Sequence, residues 1–404
     1  MNRFTLAILL APLLAACAST PEQRAPLQVH PGIDVLRDAT PAGLLQRRVG
    51  LITNHTGVTR DGTSSIDVLA GMPTLQLVAL FAPEHGIRGV AADGEIVSST
   101  IDQRTGLPIH SLYGETRKPT TEMLQGVDAL LFDIQDVGAR QYTYISTMAL
   151  AMEAAREAGI PFYVLDRPNP IGGLAVEGNL LDPAFATFVG MYPIPTRHGL
   201  TAGELARLFN SEFGIGADLT VIRADGWSRD VWYDDSGLPW INPSPNIRRL
   251  EAAIHYPGTV FLEGTNLLER GTDLPFEQTG APWLDAAAVV EQMNSMRLPG
   301  IRFEAITLDV ETTSRKFAGE TVQGIRYHLT DRETYQPVRA SLLLIDAIRR
   351  RHPEHFRWSA TMDRLSGTDR VRQAIESGTL LQLIGEWESD EKRFREMRQR
   401  YLLY

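Results

Sequence analysis

Between residues 49 and 166 the chain carries four apolar runs, "VGLIT", "LQLVALFA", "DALLFD" and "IPFYVLD", separated by turn-rich or amphipathic segments. A strand with one wet face alternates polar and apolar residues, so a continuous apolar run must be covered on both faces. Helices above and below a parallel sheet supply that cover. The fold class expected for this region is therefore α/β, with a doubly wound parallel sheet.

Two helices are marked by their ends. In "TYISTMALAMEAAREAG", Ile145, Met148, Ala149 and Met152 recur at helical spacing and Gly159 supplies the stop. In "TAGELARLFNSEFG", Thr201 and Glu204 have the spacing of a capping box. "LTVIRADGW" supplies a further strand, and the Pro-, Gly- and Trp-rich stretch from 226 to 258 reads as a crossover into a second unit. That unit has strands such as "IRFEAITLDV" and "TVQGIRYHL" and a helix "PVRASLLLIDAIRRR", whose cationic last turn suits a helix C-terminus. With 404 residues, two domains are expected, at 30–228 and 229–404.

The opening residues read as processing rather than fold. Arg3 precedes an apolar run from Phe4 to Ala16 that is too short for a lasting transmembrane helix, so residues 1–16 read as an export signal. "LAAC" resembles the lipobox of bacterial lipoproteins and makes Cys17 the expected lipidation site, with 17–29 as a tether. This implies a position on the periplasmic side of the cell envelope, and Ala18 in place of Asp favours the outer membrane of a Gram-negative cell. Cys17 is the only cysteine, which excludes an intrachain disulfide. The net charge of −10 argues against nucleic acid or an anionic membrane surface as a partner, leaving the lipid anchor as the membrane contact.

The ends of the expected strands gather polar groups: Asn54 and His55; Glu84 and His85; Asp133, Gln135, Asp136, Arg140, Tyr142 and Tyr144; Asp166, Arg167 and Asn169; Arg197 and His198. Ligands of open α/β sheets bind outside the carboxyl ends of the strands. Taken singly, Asp133 and Asp166 also read as loop braces and His198 as a cap near Thr201. As a set they exceed what turns require. His55, His85, His198 and Asp133 are the residues from which a metal site would be drawn, but no "HExxH" or comparable helical pair is present, and no metal or cofactor is expected. P-loop, G-x-G-x-x-G and G-x-S-x-G patterns are absent. Carboxylate acid/base chemistry on a hydroxyl-rich ligand remains, as in glycoside hydrolysis. Glu84, emerging from "ALFAP", is the expected general acid, because partial desolvation would keep it protonated near neutral pH.

Seven motifs in order, "GLITNHTG", "FAPEHGIRG", "FDIQDVGARQYTYI", "LDRPNPIGG", "HGLTAGELA", "NPSPNI" and "YPGTVFLEGTNLLERGT", resemble the DUF1343 family, the NamZ exo-β-N-acetylmuramidases. The resemblance runs from about residue 30 to the C-terminus. It implies a Rossmann-like first domain, a smaller α/β domain closing the cleft, and release of non-reducing terminal N-acetylmuramic acid from peptidoglycan fragments in cell-wall turnover. It implies Glu84, the glutamate of the "PEHG" motif, for catalysis, and with the strand-end reading the catalytic candidates are Glu84, His85 and Asp133, and the pocket residues Asn54, His55, Asp136, Arg140, Tyr142, Tyr144, Asp166, Asn169 and His198. From the second domain it adds Asn246, Glu263, Thr265 and Arg270. Arg140 or Arg270 suits the lactyl carboxylate, and Tyr142 or Tyr144 the sugar face. The second catalytic group is Asp133, Asp136, Glu263 or the substrate's own acetamido group. Two other functions fit the same residues: a non-catalytic muropeptide-binding envelope lipoprotein, and a metal-assisted amide or ester hydrolase.

Overall fold

The all-apolar runs form the centre of a seven-stranded sheet. The computed structural model describes residues 27–84, 86–87 and 100–404. Strands β1 (Arg48–Thr53), β2 (Gln76–Ala82), β3 (Thr100–Ile101), β4 (Pro108–Ser111), β5 (Ala129–Asp133), β6 (Phe162–Leu165) and β7 (Leu219–Ile222) lie in the order β3-β4-β2-β1-β5-β6-β7. All neighbours are parallel except β3 against β4. Successive residues of one strand serve both layers. Leu51 packs with Ile33 and Leu36 of α1 (Gly32–Asp38) and Ile66 and Leu69 of α2 (Ser65–Gly71). Ile52 belongs to the layer built on α3 (Tyr144–Ala158) and α4 (Ala202–Glu212). Each fully buried aliphatic or aromatic side chain there contributes about 1.5–3 kcal/mol, so burial on both faces outweighs any local propensity.

Both marked helices form as their ends dictate. Gly159 closes α3 in the left-handed region at φ 67°. Thr201 and Glu204 make the reciprocal capping box, the Thr201 hydroxyl accepting from the Glu204 N–H at 3.2 Å and the Glu204 carboxylate from the Thr201 N–H at 3.0 Å.

The second unit contains α5 (Leu250–Thr259), β8 (Gln278–Ala281), α6 (Ala286–Ser295), β9 (Ile301–Asp309), β10 (Thr321–Leu329), α7 (Pro337–Arg351), α8 (Met362–Ser366), α9 (Arg370–Ser377) and α10 (Leu380–Arg398). Its sheet is antiparallel, in the order β8-β10-β9. Residues 250–258, expected to be part of the crossover into the second unit, are helical in α5 with Pro257 inside the helix. The physical reason is packing: nearly the whole of α5 is buried, and it crosses α7 so closely that a Cβ on Gly258 would lie 1.9 Å from the Pro337 carbonyl oxygen. No helix among the described residues is long and apolar enough to cross a membrane.

The order reverses at β1, whose two partners are β2 on one side and β5 on the other. The carboxyl ends of β2 and β5 therefore flank a topological switch point, where open α/β sheets bind ligands.

Candidate active site

Glu84 follows β2 by two residues, and the segment from Gln141 to Tyr144 leads from β5 into α3. Both line a cavity of about 370 Å³ whose opposite wall comes from the second unit, through Ser244, Asn246, Tyr256, Glu263 and Arg270. Glu84 is half-buried, and Thr143 Oγ1 donates to its Oε2 at 3.1 Å. An aromatic cluster underlies the space. The Tyr142 ring meets those of Tyr144 and Tyr256 edge-on at 5.0 and 5.8 Å between centroids, and Tyr256 meets Phe276 at 5.0 Å. Tyr144 is held by its hydroxyl, which donates to the Pro243 carbonyl at 2.9 Å. Rings fixed in this way offer apolar faces beside polar rims, which suits a sugar.

Glu84 and Glu263 are the two acids on this lining among the described residues, and four guanidinium groups accompany them. Arg270 pairs with Glu263 and lies 3.5 Å from Glu269, so it is already matched by carboxylates. Arg117 stacks over Phe188 at 4.3 Å, and Arg364 projects from α8; neither makes an ion pair among the described residues. Arg315 completes the set. In a chain of net charge −10, the described lining of this cavity has more cations than anions, the arrangement expected for an anionic ligand.

Of the residues expected from sequence, Glu84, Tyr142, Tyr144, Asn246, Glu263 and Arg270 converge here. The other described ones are engaged by partners within the protein. Asp133 is buried in a two-pronged pair with Arg167, at 2.5 and 3.0 Å, and also accepts from the Ser65 hydroxyl, so its oxygens brace the strand ends. Arg140 donates to the carbonyls of Asn179, Ile194 and Ser366 at 2.8–2.9 Å, tying three segments together. Asp166 accepts from Thr201 Oγ1 and the Gly203 N–H at 2.7 and 2.8 Å, beneath the start of α4. Asn54 accepts from the Thr56 N–H and hydroxyl, Asn169 spans Leu200 and Ile171, and Thr265 shapes the turn after Leu262. His55 contacts the Asn242 carbonyl at 2.7 Å.

Asp136 and His198 form a separate buried pair. His198 Nδ1 accepts from the Leu200 N–H, which leaves Nε2 3.7 Å from Asp136 Oδ2. Desolvation pushes the Asp136 carboxyl up to about 7, against the opposing hydrogen bonds from the Gly138 and Val137 N–H groups. Desolvation, with Arg398, Arg140, Arg229 and Arg197 nearby, lowers His198 to about 3 and keeps it neutral. Among the described residues no three His, Cys, Asp or Glu side chains converge as a metal site. His85 and Cys17 lie outside the described residues.

Family models for the exo-β-N-acetylmuramidase NamZ match the chain over residues 49–251 with the N-terminal part and 254–404 with the C-terminal part. The chain belongs to the NamZ family. It is 48% identical over 381 residues to the peptidoglycan β-N-acetylmuramidase NamZ of Bacillus subtilis (strain 168), covering 93% of this chain and 92% of that one. Two DUF1343 family crystal structures from Bacteroides fragilis share the fold. BF0371 superposes with a TM-score of 0.87 at 36% identity, covering 94% of this chain and 99% of that one. For BF0379 the values are 0.75, 32%, 93% and 99%.

Several lining residues escaped the sequence reading. Gln141, Thr143, Ser244 and Tyr256 sit inside the motifs that carry the NamZ resemblance, so that signal was available. Tyr113, Arg117, Phe188, Phe276, Arg315 and Arg364 fall in stretches without any pattern, and packing alone brings them in.

Proposed function

We propose that this protein is an exo-acting glycoside hydrolase that releases non-reducing terminal N-acetylmuramic acid from peptidoglycan fragments. The observation that carries this reading is the pairing of Glu84 and Glu263 on one tyrosine-floored cavity at the switch point of the sheet. The relationship to the Bacillus subtilis enzyme supports the choice of substrate.

Glu84, oriented by Thr143, is the general acid that protonates the departing glycosidic oxygen. Glu263, paired with Arg270, faces the same space and supports the oxocarbenium-like transition state. Arg117 and Arg364 grip the lactyl carboxylate, because Arg140 and Arg270 are already engaged. The residues ahead of residue 27 suggest a lipidated Cys17 holding the enzyme on the periplasmic side of the envelope, at the outer membrane.

Incubation with β-1,4-linked MurNAc-GlcNAc, with GlcNAc-GlcNAc as control and with and without chelator, tests the reaction by mass spectrometry of the products. Free N-acetylmuramic acid is expected from the first substrate alone, undiminished by chelator. Glu84→Gln is expected to lose about 10²–10⁴-fold in turnover, the usual contribution of a general acid, with an unchanged circular dichroism spectrum. Saturable binding without product in the parent protein would make this a recognition protein instead.

A further inference from the structure

A second cavity, of about 450 Å³, lies between the first domain and the C-terminal helices and shares no lining residue with the one around Glu84. One wall is the paired backbone of Glu177 and Arg197, and the other is the turn leading into α7 together with one face of α10.

Glu177 is 8% exposed; its Oε1 accepts from the Arg339 N–H at 2.8 Å, in the first turn of α7, while its Oε2 is buried without a partner. Arg197, 4% exposed, donates through Nη2 to the Ile171 carbonyl at 2.7 Å, and its Nε is buried without a partner. Buried polar groups are ordinarily satisfied, and two of opposite sign on one cavity wall ask for a ligand of both signs. Desolvation pushes the Glu177 carboxyl up to about 7, against the opposing Arg339 N–H and the charge of the nearby Arg197.

The remaining charges divide into used and unused. Glu333 accepts from the Trp232 indole at 2.6 Å and Glu391 from the Gly178 N–H at 3.0 Å. The side chains of Arg339 and Glu388 make no hydrogen bond or ion pair among the described residues. The cavity thus has an acid and a base on each side: Glu177 and Arg197, each with one buried polar atom unpartnered, and Glu388 and Arg339, whose side chains are unpaired among the described residues, with Trp387 in the lining as an apolar surface. A simple cation would leave the guanidinium groups unanswered, and a simple anion the carboxylates.

We propose that this cavity is a second ligand site, for a short peptide that bears both a free α-ammonium group and a free carboxylate. Glu177 receives the ammonium group, and Arg197 and Arg339 receive the carboxylate. The volume falls in the range of small-ligand sites. The proposal is independent of the chemistry assigned to Glu84.

Isothermal titration of the full chain with dialanine, as the L,L and D,D isomers, tests it against N-acetyl-dialanine and dialanine amide, which each lack one charge. Saturable one-to-one binding of a free dialanine is expected, with each blocked form at least about tenfold weaker, equivalent to roughly 1.4 kcal/mol. Glu177→Gln keeps an acceptor for the Arg339 N–H; it should weaken free dialanine by a similar factor and leave the N-acetyl form unaffected. Arg339→Met should weaken free dialanine and leave the amide unaffected. Unchanged binding in Glu84→Gln would separate the two cavities. No saturable binding at millimolar concentration, or equal binding of free and blocked forms, would overturn the proposal and leave a water-filled void.

Discussion

An aspartate at the end of a parallel strand can be a reagent or a brace, and neighbours decide which. Asp133 is a brace because Arg167 and Ser65 consume its oxygens, whereas Glu84 opens on a cavity. The same accounting applies to arginines. Arg364→Met and Arg117→Met are each expected to lower kcat/KM on MurNAc-GlcNAc by roughly tenfold to a hundredfold, since a hydrogen bond to a charged group contributes about 1.5–3 kcal/mol. Unchanged kcat/KM in both would remove them from carboxylate recognition. Asp136 carries a pH dependence. Its carboxyl sits at about 7 when folded against an ordinary 3.8, so the native state holds the proton more tightly. Between those values the unfolded chain has released more protons, and stability falls as pH rises from about 4 to about 7. An asparagine side chain at this position does not titrate, and its carbonyl can still accept from the Gly138 N–H. Asp136→Asn should therefore gain in Tm relative to the parent between pH 5 and pH 8; a constant gap would show that the carboxyl is charged throughout.

The helices show how far local signals reach. Gly159 and the Thr201–Glu204 box ended α3 and began α4 as their chemistry demands. α5 is the counter-case, since Pro257 and Gly258 argue against a helix and burial against α7 imposes one. Its glycine is there for closeness. Gly258→Ala would drive a methyl group into the Pro337 carbonyl and is expected to destabilise by about 1–3 kcal/mol or more, the usual cost of overpacking. Gly385→Ala on exposed α10, where a Cβ meets nothing within 4 Å, should stabilise by about 0.4–1 kcal/mol. Urea unfolding of both variants checks the opposite signs.

Over the whole molecule, the last residues return to the first domain. The Tyr404 hydroxyl donates to Asp166 at 2.8 Å, and Arg398 donates to the His198 and Gly199 carbonyls at 2.9 Å. The loops beside the sheet are thereby fixed by residues some 200 positions away, so the two units present one cleft. At the other end, the proposed lipid anchor at Cys17 has a plain test: Cys17→Ala is expected to lose incorporation of labelled palmitate and to move from the membrane to the soluble fraction. Retained label would assign the lipid elsewhere.

Periodicity, continuous apolar runs and cap chemistry were enough to determine the α/β class, the doubly wound sheet, α3, α4 and α7, because these depend on neighbours within a few residues. The motif order was enough to place the chain in its family and to single out Glu84. The tertiary structure alone decided which polar residues line the cavity. Asp133, Arg140, Asp166 and His198 read like site residues and are internal ties, while Arg117, Phe188 and Arg364 read like nothing and line the cavity. The reason is physical: whether a side chain meets solvent, ligand or a buried partner depends on segments far away in the chain, and no local pattern encodes them.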